Sequence, residues 1–146
     1  MSTVTCIGAG TVGRAWAVVF ARAGHEVRLY DSLEGEAAGR ALSGARQTLD
    51  LFADNGMLEE PVETVLARIL PVASIGEAVG GADYVQESVR EDVDVKRQVF
   101  AEIAAHARPD AILASSTSAI PGSDFLGHIA NPERALVVHP VNPPSL

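Results

Sequence analysis

Cysteine is almost missing from this chain, and basic residues are scarce. A single thiol, Cys6, among 146 residues excludes an intramolecular disulfide framework and fits a reducing compartment. By itself it reads as a small buried strand residue. Lysine and arginine number 11 against 19 aspartates and glutamates, giving a net charge of −8, and they cluster nowhere. A protein that grips a phosphate backbone needs the opposite balance, which argues against nucleic acid as a partner. No stretch approaches the ~20 continuous apolar residues that span a bilayer. The opening MSTVTCIGAG also lacks the basic and apolar regions of a secretion signal. These absences predict a cytoplasmic protein with no membrane partner, and no metal site is expected.

What is present is ordinary globular material, 47% hydrophobic and 21% charged, with no internal repeat, low-complexity tract or linker. Residues 1–146 therefore read as one domain with a proper core. Short apolar runs alternate with longer helical stretches. Strands are expected at Val4–Ile7, Val27–Tyr30, Ile69–Ala73, Asp83–Gln86, Ala111–Ala114 and Ala135–Val138. Helices are expected at Thr11–Ala23, with Val12, Ala15, Trp16, Val19 and Phe20 on one face, and at Leu33–Ala53, with Leu42, Ala45, Leu49 and Phe52. Gly24 stops the first and Asn55-Gly56 closes the second. A short helix should start near Pro61 and run to Arg68. A further one, Asp92–Ala107, carries Val95, Val99 and Ile103. Such alternation predicts an α/β fold: a doubly wound, mostly parallel sheet with right-handed crossovers and helices on both faces.

Gly8–Gly13 reads GAGTVG, directly after the first strand and at the start of the first helix. Gly8 permits a tight turn, Gly10 lets a pyrophosphate approach the backbone, and Gly13 allows close packing of helix on strand. Thr11 and Val12 belong to the same cradle, where free N–H groups and the helix dipole face the phosphates. The motif alone is weak evidence. It gains weight from Asp31 at the end of the second strand, 23 positions beyond Gly8, near the ~20 expected for the residue that holds ribose hydroxyls. An acidic side chain there repels a 2′-phosphate, so NAD is favoured over NADP. A glycine-rich turn whose strand-end aspartate merely caps a helix is the plainer alternative.

Ser115, Ser116, Thr117 and Ser118 follow the fifth strand, where ligands of open parallel sheets sit. Equally, Thr117 or Ser118 can cap a short helix starting near Ala119. His139 follows the sixth strand, is held by Pro140, and has Asn142 three residues on. Imidazole accepts a proton at neutral pH. Alcohol oxidation by NAD needs such a base while hydride leaves for the nicotinamide. His25, His106 and His128 lack that setting.

Four stretches, IGAGTVGRAWAVVFARAGHEVRLYD, ADYVQESVREDVDVKRQVF, ILASSTS and VVHPVNPP, together make the chain resemble the NAD-binding domain of L-3-hydroxyacyl-CoA dehydrogenases, a Rossmann-type domain, over nearly its whole length. GRAWA, QES and HPVNPP are most similar to the lambda-crystallin branch, with its L-gulonate 3-dehydrogenase activity. The resemblance implies that His139 is the catalytic base and that Ser118 hydrogen-bonds the substrate oxygen. It places Ser116 and Asn142 near the nicotinamide and gives Glu91 and Lys96 cofactor contacts. An ordinary helix pair between Asp92 and Lys96 is the competing reading for the last. Family members add a glutamate that orients the histidine and a helical domain that closes over substrate and forms the dimer. This chain ends at Leu146, before both, so NADH binding with feeble turnover is expected, along with self-association. The implied function is oxidation of the 3-hydroxyl of an L-3-hydroxyacyl-CoA or L-3-hydroxy acid. The alternative is a free-standing NAD-binding module without turnover.

Overall fold

The computed structural model describes residues 1–32, 36–141 and 143–145. Six strands form one sheet in the order β3-β2-β1-β4-β5-β6, and every neighbouring pair is parallel. They are β1 (Thr3–Ile7), β2 (Glu26–Tyr30), β3 (Ile69–Pro71), β4 (Tyr84–Glu87), β5 (Ile112–Ser115) and β6 (Ala135–Val137). The order reverses between β1 and β4, which opens a crevice beyond their carboxyl ends.

Helices α1 (Thr11–Arg22), α2 (Glu36–Asp54) and α3 (Val62–Leu66) cover one face of the sheet. Their core joins Ala17, Val18, Ala45, Leu49, Phe52 and Val65 to Cys6, Val27 and Leu29 of the strands. On the other face, α4 (Ile75–Val79) and α5 (Val93–His106) pack Ile75, Val79, Phe100 and Ile103 against Ile7, Val85 and Leu113. Phe125, Leu126 and Ile129, from the connection between β5 and β6, complete that second core. The expected doubly wound α/β architecture is therefore present. Adjacent residues of one strand, Cys6 and Ile7, feed opposite cores because strand side chains alternate. Burial holds the Cys6 thiol well above its usual range, as a protonated core residue. Among the described residues no helix is long and apolar enough to cross a membrane.

The expected punctuation works as local chemistry. Gly24 lies at φ +84° and Gly56 at +67°. At the end of α1, His25 N–H reaches Phe20 O and Gly24 N–H reaches Ala21 O, both at 3.1 Å. At the end of α2, Met57 N–H reaches Phe52 O at 2.8 Å and Gly56 N–H reaches Ala53 O at 3.0 Å. Each pair is a Schellman motif closing its helix.

Three expectations need correction. The face that α1 buries deepest is Gly13, Ala17, Val18 and Ala21, while Val12, Ala15, Trp16, Val19 and Phe20 are only half-buried. Small residues win there because the helix lies nearly in contact with the strand ends. Helix α4 is a missed element of five residues; Ser74 caps it by accepting from Glu77 N–H at 3.1 Å. No helix starts near Ala119. Instead the Thr117 hydroxyl accepts from Ile120 N–H at 3.1 Å in a tight turn, ahead of a single 3-10 turn at Gly122–Asp124. Where α2 begins, the expected start at Leu33 lies outside the described residues.

Candidate functional site

The glycine loop is shaped by collisions that any side chain would cause. Gly8 sits at φ +95°, and a Cβ there would lie 2.7 Å from Ser88 O. A Cβ on Gly13 would lie 1.8 Å from Gly8 O. Gly10 differs, because nothing lies within 4 Å of the place its Cβ would take. It is the N-cap of α1, and no side chain caps that helix. The result is a bare helix N-terminus with open space before it, which suits a pyrophosphate. Asp31 closes the loop from the β2 side, its Oδ2 accepting from Ala9 N–H at 2.7 Å.

From this loop a cleft of about 710 Å3 runs across the crevice, lined by Gly8, Gly10, Asp31, Ser32, Ser88, Val89 and Arg90, with Val95 and Val99 of α5 as apolar wall. A second pocket of about 230 Å3 adjoins it and collects Val12, Glu91, Lys96, Ser116, Ser118, His139 and Pro140. Ser88 and Val89 line both, so the two are one continuous site. Pro140 is buried while the preceding His139 is exposed, so the proline anchors the histidine at the pocket mouth. Val138 N–H donates to Ser115 O at 2.8 Å and fixes the strand end that carries it.

Beneath the pocket lies a buried ion pair. Glu87, the last residue of β4, and Lys96 of α5 are both 1% exposed or less, and Lys96 Nζ donates to Glu87 Oε1 at 2.8 Å. Ser115 Oγ donates to Glu87 Oε2 at 2.5 Å, and Val89 N–H reaches Oε1 at 2.6 Å. Lys96 also lies 3.5 Å from Glu91 Oε2. Glu91 Oε1 in turn accepts from the Thr117 hydroxyl and from Ser118 and Ala119 N–H at 3.0 and 3.1 Å. Partial burial alone would raise the Glu91 carboxyl. The Thr117 hydroxyl, the two amides and the Lys96 charge outweigh it and bring Glu91 down to about 2. A buried pair whose carboxylate oxygens each accept a further hydrogen bond is the arrangement in which such a pair is tolerated.

A second network reaches the same pocket from the α1 side. Trp16 Nε1 and Gln86 Nε2 donate to Ser116 Oγ at 3.1 and 2.7 Å, and Ser88 Oγ lies 2.8 Å away. Tyr84 OH donates to Gln86 Oε1 at 2.7 Å. Burial, with Cys6 adding, pushes the Tyr84 phenol up to about 12, so it remains a donor.

The model of the family described as 3-hydroxyacyl-CoA dehydrogenase, NAD binding domain, matches residues 3–146. The chain belongs to this dehydrogenase family. The L-carnitine dehydrogenase/betainyl-CoA thioesterase of Rhizobium meliloti is 41% identical over 148 residues, covering 98% of this chain and 29% of its own length. The human lambda-crystallin homolog is 37% identical over 143 residues, covering 97% of this chain and 44% of its own. The crystal structure of 3-hydroxybutyryl-CoA dehydrogenase from Escherichia coli K12 superposes with a TM-score of 0.90 at 38% identity, over 97% of this chain and 30% of that one. The chain thus spans less than half the length of these relatives.

For an NAD-binding domain of the 3-hydroxyacyl-CoA dehydrogenase family, the cofactor is NAD, and the crevice offers it a bare helix N-terminus and a strand-end carboxylate. Gly8, Gly10, Val12, Gly13, Asp31, Glu91, Lys96, Ser116, Ser118 and His139 all lie on or directly under the joined cleft. Thr11 opens α1 and is exposed at its tip. Asn142 lies outside the described residues. The sequence places Ser115, Ser116, Thr117 and Ser118 after the fifth strand with all four hydroxyls in the crevice; in the structure Ser115 ends β5 and only two of the four reach the pocket. Ser115 and Thr117 are buried and turn to Glu87 and Glu91, leaving Ser116 and Ser118 at the pocket. Nor is Lys96 an exposed partner of Asp92, which instead caps α5 by accepting from Val95 N–H at 3.0 Å. Glu87, Ser88 and Arg90 stand in the stretches that carry the family resemblance, but the sequence reading gives them no role in the site. The pair Gln86-Glu87, two polar residues at the end of an apolar strand, was the available signal. Among the described residues no group of three or more His, Cys, Asp or Glu is placed to hold a metal ion.

Proposed function

We propose that this domain serves the NAD-dependent oxidation of the 3-hydroxyl of an L-3-hydroxyacyl-CoA or L-3-hydroxy acid. The observation that carries this reading is the pocket of about 230 Å3 that puts His139 and Ser118 beside Ser88 and Val89, residues it shares with the glycine-loop cleft. NAD, when bound, supplies the oxidant. Asp31 holds the adenosine ribose hydroxyls, and the first turn of α1, with Thr11 and Val12, faces the pyrophosphate. Ser118 donates to the substrate oxygen and positions it against His139, whose imidazole takes the hydroxyl proton. Glu91 and Lys96 support the cofactor side of the same pocket: Glu91 gathers the Ser118 and Ala119 amides, and Lys96, bonded to Glu87, lies 3.5 Å from it.

The printed names of the relatives favour the substrate class, since L-carnitine dehydrogenase, 3-hydroxyadipyl-CoA dehydrogenase and 3-hydroxybutyryl-CoA dehydrogenase are among them. The rest of such a substrate would contact polypeptide beyond this domain, which matches under half of each relative. We include in the proposal a homo-oligomer, and a second, helical domain in the complete enzyme.

An NADH fluorescence titration, followed by NAD reduction with 3-hydroxybutyryl-CoA as trial substrate, tests this. Saturable NADH binding is expected, and His139→Gln should lower any turnover about 10²- to 10⁴-fold while leaving NADH affinity intact. A parent chain that binds no NADH, or a His139→Gln variant as fast as its parent, would overturn the reading.

A further inference from the structure

We infer that the Ser88 hydroxyl is the group that donates a hydrogen bond to an oxygen on the nicotinamide–ribose half of the bound cofactor, and that Ser116 is a positioning residue with no hydrogen left to give. The inference rests on the NAD-binding reading above and deepens it.

It follows from counting donors and acceptors. A serine hydroxyl has one hydrogen and two lone pairs. At Ser116 both lone pairs are taken by obligatory donors. The Trp16 indole N–H can only donate, and it points at Ser116 Oγ from 3.1 Å. Gln86 Nε2 is 2.7 Å from the same oxygen. The orientation of that amide is fixed at both ends. Its nitrogen also faces Val138 O at 3.4 Å, a carbonyl that can only accept, and its oxygen receives the Tyr84 hydroxyl at 2.7 Å. With two bonds accepted, Ser116 can meet Ser88 Oγ, 2.8 Å away, only as the donor. The direction of the serine–serine bond is thereby decided, and Ser88 accepts.

Ser88 keeps its own hydrogen, and among the described residues no acceptor takes it. Its backbone is fixed, with Ser88 N–H donating to Ile7 O at 2.7 Å and Ser88 O packed against Gly8. The side chain is half-buried and borders both the glycine-loop cleft and the His139 pocket. A hydroxyl hydrogen held at that junction, on a rigid strand end, needs an oxygen acceptor. The junction joins the glycine-loop cleft to the pocket that holds His139, the side that the NAD-binding reading gives to the nicotinamide half, whose ribose hydroxyls and carboxamide offer such an oxygen. Ser116, half-buried at the pocket with its lone pairs and its hydrogen all committed to Trp16, Gln86 and Ser88, sets the Ser88 rotor.

The test compares NADH with ADP, which lacks the nicotinamide riboside, by titration of the whole chain. Ser88→Ala should weaken NADH binding about five- to tenfold, the value of one hydrogen bond, and leave ADP affinity within twofold. Retained ADP binding also reports that the variant is folded. Ser116→Ala should lower the melting temperature, because Trp16 and Gln86 lose their acceptor, yet weaken NADH less than threefold. Unchanged NADH affinity in Ser88→Ala, equal losses for NADH and ADP, or a larger NADH loss in Ser116→Ala would each overturn the inference. If the parent binds ADP and NADH normally in those cases, only the serine assignment fails. A parent that binds neither removes the NAD-binding reading and this inference with it.

Discussion

Asp31 carries two duties that one substitution can confuse. Its Oδ2 already accepts Ala9 N–H at 2.7 Å, which ties the glycine loop to β2, while its charge is proposed to hold ribose hydroxyls. Asp31→Asn keeps an acceptor for Ala9 and removes the charge, whereas Asp31→Ala removes both. We expect NADH affinity to fall about tenfold in the asparagine variant and further in the alanine one, as hydrogen bonds to a charged group contribute about 1.5–3 kcal/mol. Equal affinity in parent and Asp31→Asn would show that the aspartate only braces the loop. Glu91 yields a prediction in pH. Its folded-state value, about 2, lies below the ordinary 4.5. A depressed carboxyl contributes stability that is present above pH ~4.5 and is lost as pH falls toward ~2. Acid unfolding followed by circular dichroism should therefore steepen between those limits in the parent and less so in Glu91→Gln. Identical acid profiles would remove Glu91 as the anchor of the Thr117–Ala119 turn.

At the scale of the element, the first turn of α1 separates two glycines that look alike in the motif. Gly13→Ala drives a Cβ to 1.8 Å from Gly8 O, backbone that cannot step aside, and should destabilise the domain by about 3 kcal/mol. Gly10→Ala meets open space, so its melting temperature should stay near the parent value while NADH binding collapses. If both variants melt alike, the close approach of α1 to the loop is wrong. Much of this was legible from the chain alone. Glycines flanked by strand and helix announce the cradle, and Gly24 and Gly56 announce helix ends, because those positions demand conformations few other residues adopt. The serine run was not legible to the same depth. Placing β5 at Ala111–Ala114 instead of Ile112–Ser115 is a one-residue error, yet it leaves Ser115 outside the strand and so hides that its hydroxyl turns inward to Glu87. The same slip at β4, by one residue, left Glu87 outside the strand and hid the Lys96 ion pair. Nor does size-blind periodicity reveal that Ala17 and Ala21, not Trp16 and Phe20, carry the deepest face of α1.

Taken whole, the molecule has two sheet edges, and they are protected unequally. On one side β3 ends in Pro71, which cannot donate to an added strand, and only Leu70 is exposed there among large apolar strand residues. On the other side β6 is Ala135-Leu136-Val137, without charge or proline, and Leu136 and Val137 are 45% and 41% exposed. Val141, just past His139, is 87% exposed, and Ile112 of neighbouring β5 adds 46%. An apolar edge of this kind is a template for pairing with another chain unless something covers it. A second copy of this chain is the occupant consistent with the proposed homo-oligomer. Sedimentation over a wide concentration range should show reversible self-association of the 15.3 kDa chain. The double variant Leu136→Lys with Val137→Glu should sediment as a monomer while still binding NADH, since neither side chain lines the cleft or the pocket. A parent that stays monomeric at the highest concentration would show that this edge needs no cover. Association that survives the double variant would move the contact to the β3 side, where Leu70→Lys would be the next substitution to measure.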